Sequence, residues 1–143
     1  MEIYKGTATF SGIAIGKILY YSRGEYQIRQ CLVSNIKKEI SNFQEARLQA
    51  VQKLHELYEA NRLLNEQEAG VFLRQIKLLE SESYQNAIES SIANEKVNAA
   101  YAVMINRDEL VETFRHLEEP VIRRRINDMQ EISNRLIQIL GGA

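Results

Sequence analysis

From residue 36 onward, apolar positions recur in steps of three, four or seven, the spacing of one helix face. Ile36, Ile40, Phe43, Ala50, Leu54, Leu57 and Leu64 form the first stripe, and Ser34 ahead of it is the expected N-cap. That stripe predicts roughly 30 residues of helix, ~45 Å at 1.5 Å per residue. A helix so far above the ~11-residue average is expected to form one side of a helical hairpin. Asn65 with Glu68 three residues later reads as a capping box that starts a helix at Glu66, with Ala69, Phe72, Leu73, Ile76 and Leu79 inward. Ser81-Glu82-Ser83 is a break, because serine side chains there compete for backbone hydrogen bonds. A short helix carrying Tyr84, Ala87, Ile88 and Ile92 follows, and residues 94–98 form a second break. The next stripe is Ala100, Val103, Met104, Leu110, Val111, Phe114 and Leu117. Pro120 suits the first position of a last helix, where proline's missing N–H costs nothing. That helix carries Ile122, Ile126, Met129, Leu136 and Leu140, and Gly141-Gly142 stops it.

The front of the chain has another rhythm. Residues 6–17 carry three glycines, Gly6, Gly12 and Gly16, between short β-prone runs, and residues 22–30 are polar without a clear period. The pattern predicts a strand pair followed by a connector. Two strands alone are marginal in water, so this pair is expected to belong to something larger. The fold class that results is mainly α: an antiparallel helical bundle of two helical hairpins, one helix being long, with a short N-terminal β-strand pair. Short turns between helices make sequence neighbours antiparallel. The boundaries are strands in 1–21, a connector in 22–33, the helical domain in 34–140 and an end at 141–143.

Composition agrees with this picture. The 143 residues suit one domain, and 45% hydrophobic with 26% charged residues is enough apolar content for a core. One proline and seven glycines argue against an all-β chain. A net charge of −1 implies no nucleic-acid partner. The single Cys31 can form no internal disulfide and is expected to be a buried structural thiol in a reducing compartment. The first residues lack the apolar core of a signal peptide, and no run approaches the ~18 apolar residues of a membrane span. A soluble, cytoplasmic protein is the expectation.

Candidate chemistry is sparse. His55 and His116 lie in no metal-binding spacing and read as solvated or half-buried side chains. Residues 12–16 lack the Gly-Lys-Ser/Thr ending of a phosphate loop, and a strand rather than a helix is expected after them. Arg123, Arg124 and Arg125 fall ~100° apart on a helix, so at least one faces solvent while another can pair with Glu118, Glu119 or Asp128. Charge distribution says more. Residues 66–95 hold six acidic side chains against two basic ones, a local net of −4 in a nearly neutral chain. Such a surface is either an ordinary solvated face or a dock for a small basic partner.

Four blocks of the chain resemble one family in order and spacing. Gly6-x-Ala8-x-x-x-Gly12-Ile13-Ala14-Ile15-Gly16-Lys17 resembles the Gly-Ile-Ala-Ala-Ser-Pro-Gly-Ile-Ala-Ile-Gly-Lys that opens Enzyme I of the phosphoenolpyruvate-dependent sugar phosphotransferase system. The run from Glu68 through Phe72, Gln75 and Leu79 to Glu80 resembles its Glu-Ala-x-Ile-Phe-Glu-Ala-His-x-x-Leu-Leu-Glu. Asn98-Ala99-Ala100-Tyr101-Ala102-Val103 resembles Asn-Ala-Glu-x-Ala-Val, and the stretch from Arg125 through Asp128 to Arg135-Leu136-Ile137 resembles its final helix. The departures are Phe10-Ser11 for the family's Ser-Pro, Gln75 for its helical His, Leu73 for its Glu, and a less acidic block after Arg124.

The resemblance implies a helical domain that docks the carrier protein HPr, preceded by the first strands of an incomplete phosphohistidine subdomain. It implies a parent enzyme passing phosphoryl from phosphoenolpyruvate to its own histidine and on to HPr. That histidine, the phosphoenolpyruvate-binding domain with its magnesium, and a homodimer interface would all lie outside this chain, which alone would be inactive and hold no cofactor. Glu66, Glu68, Phe72, Leu78, Glu82, Lys96 and Arg125 are the implied HPr-binding residues, with Phe72 and Leu78 contributing only if they face outward. Two alternatives remain: a helical scaffold or adaptor with no phosphotransfer role, and an Enzyme I paralogue serving a related carrier. No nucleic-acid or membrane partner is expected. Strand edges in 13–19 are expected to self-pair.

Overall fold

The computed structural model describes residues 18–20, 27–29 and 31–141. The expectations placed on residues 6–17 lie outside the described residues. Strand β1 (Ile18–Tyr20) pairs antiparallel with β2 (Gln27–Arg29), with Leu19 opposite Ile28. Gln27–Arg29 fell within the segment read as a connector; polar alternation too short to show a period still pairs once a neighbouring strand is present.

Five helices follow: α1 (Ile36–Asn61), α2 (Glu66–Glu80), α3 (Glu82–Glu95), α4 (Ala99–Phe114) and α5 (Pro120–Ile139). The cap of α1 is Asn35 rather than Ser34, its side-chain oxygen accepting the Lys38 N–H at 3.0 Å. Helix α1 stops at Asn61, so Leu64 falls in the turn and is exposed, not in the inner stripe. Asn65 caps α2 by accepting from the Glu68 N–H. Ser81 ends α2 and caps α3, its hydroxyl donating to the Leu78 carbonyl and accepting from the Tyr84 N–H. Pro120 opens α5 at its N-terminal position, with Glu119 capping the Ile122 N–H. Gly141 follows α5 at φ 86°, a left-handed conformation that glycine adopts without a side-chain clash.

The core is one cluster to which all five helices contribute, through Phe43, Leu54, Leu79, Ile88, Ile92, Val103, Ile132 and Leu136 among others. The two hairpins are α1 with α2 and α4 with α5. The first half of helix α4 is enclosed by its neighbours. All of Ala99, Ala100, Tyr101, Ala102, Val103 and Met104 are buried, because α1, α3 and α5 surround that half of the helix. The apolar stripes locate the core, with corrections besides Leu64: Ala87 of α3 is exposed. Leu73 and Leu117 are exposed as well, since each lies at the edge of its stripe.

Tertiary links order the bundle along its axis. Arg47 of α1 reaches the Leu79 carbonyl, Gln44 bonds Gln85 and Glu89 of α3, and Glu39 accepts from the Ala99 N–H at 2.8 Å. Descending positions on α1 therefore meet ascending positions on the later helices. The N-terminal end of α1 lies beside the α3–α4 turn, and its C-terminal end beside the start of α2. No described helix is long and apolar enough to cross a membrane.

Candidate functional site

Glu66 and Glu68 occupy the first turn of α2, and Glu82 the first turn of α3; all three are exposed. The unpaired N–H groups of a helix start favour acidic side chains there, so local chemistry already places these charges. Between the two acidic turns, α2 runs about 21 Å at 1.5 Å per residue. Phe72 lies within that run, half-buried and packed against the core. Leu78 does not meet the condition set for it: it is buried within the core cluster, 7% exposed, and offers no outward contact.

Arg125 is exposed on α5, three residues before Asp128 and so on nearly the same face. Asp128 is buried and accepts from Nε of Arg74 on α2 at 3.0 Å, which brings Arg125 close to the middle of α2. Arg123 and Arg124 are exposed as well, and Asp128 takes Arg74 rather than any of this triplet. Lys96 stands apart. It ends α3 with φ 55°, and its carbonyl accepts the Val33 N–H at 2.9 Å. It therefore sits by the N-terminal end of α1, while Glu66 and Glu68 sit by the other end. The 26-residue helix α1 spans about 39 Å between those ends. Glu66, Glu68 and Phe72 thus stand on α2 and Arg125 on α5, two helices joined by the Arg74–Asp128 pair, while Lys96 lies at the far end of the bundle.

Sequence reasoning missed a row of polar residues along these two helices. Besides Arg74 and Asp128, Gln75 donates to Glu131 at 2.5 Å, and the Tyr84 and Ser133 hydroxyls lie 3.4 Å apart. Gln75 and Ser133 are buried. Burial pushes the Tyr84 phenol up to about 12, against smaller opposing effects of the Ser133 hydrogen bond and Arg107. A signal existed: Ser133 sits between Met129 and Leu136 at helical spacing, and Gln75 between Phe72 and Leu79. A polar residue in an apolar stripe points to a partner across the helix interface.

The far end carries a clasp. Asn98 Oδ1 accepts the Cys31 N–H at 2.9 Å, the Asn98 N–H donates to the Cys31 carbonyl, and Leu32 bridges Val97. Cys31 is exposed there, contrary to the buried thiol expected, because only its backbone is tied down. His55 and His116 are both exposed. No group of three or more His, Cys, Asp or Glu side chains is placed to hold a metal ion among the described residues.

Comparison with known proteins joins these features to a family. The family described as PEP-utilising enzyme, N-terminal, matches residues 5–125. A phosphoenolpyruvate-protein phosphotransferase of Borreliella burgdorferi is 27% identical over 141 residues, covering 96% of this chain and 25% of its own length. Its namesake in Haemophilus influenzae is 29% identical over 140 residues, covering 95% of this chain and 24% of its own length. The chain therefore spans about a quarter of the length of these relatives. A solution NMR structure of Enzyme I superposes with a TM-score of 0.75 at 21% identity, over 82% of this chain and 49% of that one. The helical architecture is common to both.

Proposed function

The chain belongs to the PEP-utilising enzyme N-terminal family, and from that membership we propose that its helices dock the phosphocarrier HPr within a phosphoenolpyruvate-protein phosphotransferase. The observation that carries this reading is the α2–α5 pair of helices. Two exposed acidic residues at the start of α2 precede a half-buried aromatic residue on the same helix, and α5, which pairs with α2 through Arg74 and Asp128, carries an exposed arginine. Exposed carboxylates speed and orient the approach of a basic partner, and a partly buried aromatic ring supplies a desolvated contact once it arrives.

On this reading the parent protein, in the cytoplasm, passes phosphoryl from phosphoenolpyruvate to a histidine of its own and then to HPr. The exposed His55 and His116 lie in no arrangement that would orient them for that step, so the relay histidine belongs to the remainder of the protein, as does any magnesium. This chain's contribution is to hold the carrier in place. Glu66, Glu68 and Glu82 attract it, Phe72 and Arg125 contact it, Leu78 serves the core, and Lys96 lies too far away to take part.

Titration of the chain with purified HPr, followed by backbone amide shifts, tests the reading. Shifts are expected to concentrate on 66–75 and 124–131 and to spare 96–98. An absence of shifts at millimolar HPr would overturn it.

A further inference from the structure

The polar row between α2 and α5 is an unusual use of a helix interface. Apolar ridges alone specify register weakly, because sliding one helix along another by a turn, about 5.4 Å, mates similar side chains again. The stripes here are of that kind: Phe72, Ile76 and Leu79 on α2, and Met129, Ile132 and Leu136 on α5. Polar pairs remove the degeneracy. Asp128 is buried and bonded at 3.0 Å to Arg74, whose side chain is 42% exposed; Gln75 is 2% exposed and bonded at 2.5 Å to Glu131, which is exposed. A slip of one turn in either direction strands a buried carboxylate and a buried amide without partners, which costs far more than the apolar contacts exchanged. Holding register is the best-attested use of buried charge in helical assemblies.

The row also has a particular position. Glu66 and Glu68 lie eight and six residues before Arg74 on α2, about 12 and 9 Å along the axis, and Arg125 lies one turn before Asp128 on α5. The two halves of the docking side thus stand on different helices, and these pairs connect them.

We propose that Arg74, Gln75, Asp128 and Glu131 form a register lock that positions the acidic start of α2 against Arg125 of α5 and thereby sets how tightly the carrier docks. The four act as positioning residues. This proposal rests on the docking reading for its consequence, but the lock itself can be measured without a partner.

The test replaces the pairs by apolar side chains of similar size: Arg74→Met with Asp128→Leu, and Gln75→Leu with Glu131→Leu. Removing a buried charge such as Asp128 together with its partner often leaves stability unchanged or raised. The expected result is a midpoint of thermal unfolding no lower than that of the parent chain. With it come exchange broadening and altered residual dipolar couplings confined to α2 and α5, and HPr affinity at least tenfold weaker. A merely structural role would lower the midpoint and leave the couplings of the folded fraction unchanged. Unchanged couplings with affinity within twofold of the parent would overturn the proposal. Should the parent chain itself fail to bind HPr, the docking reading falls, while altered couplings in the variant still support the lock and unchanged couplings still overturn it. Should the fourfold variant not fold, Asp128→Asn alone provides the same readouts, with a smaller change expected in the same direction.

Discussion

Tyr84 shows how much a single residue's surroundings decide. Its ring centroid stands 6.4 Å from that of Phe43 in a tilted arrangement, and its hydroxyl lies 3.4 Å from that of Ser133. Burial disfavours the phenolate, so the folded state holds the proton up to about 12, above the ordinary value of 10.0. The sign of the pH dependence follows. Between these two values the folded chain binds more protons than the unfolded one, so stability is complete below pH 10 and falls as pH rises through 12. The expected loss approaches ~3 kcal/mol, at about 1.4 kcal/mol per pH unit. Guanidinium unfolding midpoints measured from pH 8 to 12 check this, and Tyr84→Phe is expected to remove most of that decline. Tyr101 adds in the same direction, its phenol raised by burial and by Glu95 and Asp108. At this scale the apolar residues were readable, because Phe43, Leu54, Ile88 and Leu136 repeat at helical spacing. Gln75 and Ser133 showed only their place within an apolar stripe, and their partners, like that of Asp128, were concealed by sequence distance.

Among the helices, the punctuation is mostly local and correspondingly legible. Asn65, Ser81 and Glu119 cap their helices within three residues of the N–H they bind, and Pro120 and Gly141 act through their own backbones. The start of α1 is displaced by one residue because Ser34 and Asn35 can both cap, and the choice depends on which one the incoming chain aligns. Asn35→Ala is therefore expected to cost ~1 kcal/mol of stability and Ser34→Ala close to nothing, as read from denaturant midpoints. An equal loss from both would contradict the cap assignment. The start of α4 follows another rule. Asn98, the residue placed to cap it, gives its side-chain oxygen to Cys31, and Glu39 of α1 receives the Ala99 N–H instead. No local pattern contains that exchange, since Glu39 and Ala99 are 60 positions apart.

For the whole molecule, the ordering of the bundle along its axis decides which charges act together. Glu66 and Glu68 lie at the start of α2, which pairs with the helix that carries Arg125, and Lys96 lies at the opposite end. If the carrier is steered by those carboxylates, Glu66→Gln and Glu68→Gln together slow its association several-fold at low ionic strength. The difference should vanish near 1 M salt, where charges are screened beyond ~3 Å. Stopped-flow association rates across a salt series check this, and a difference that persists at high salt would remove steering from the account. The amino-acid sequence alone determined the helical class, a count of four or five helices, their breaks and the family, because periodicity, caps and motif order are properties of neighbours along the chain. Only the tertiary structure decided that Leu78 is core, that Lys96 is remote, that Cys31 is exposed and that Asp128 meets Arg74. Burial, distance and pairing across the bundle arise from how helices pack, and the 54 positions between Arg74 and Asp128 carry no local trace of it.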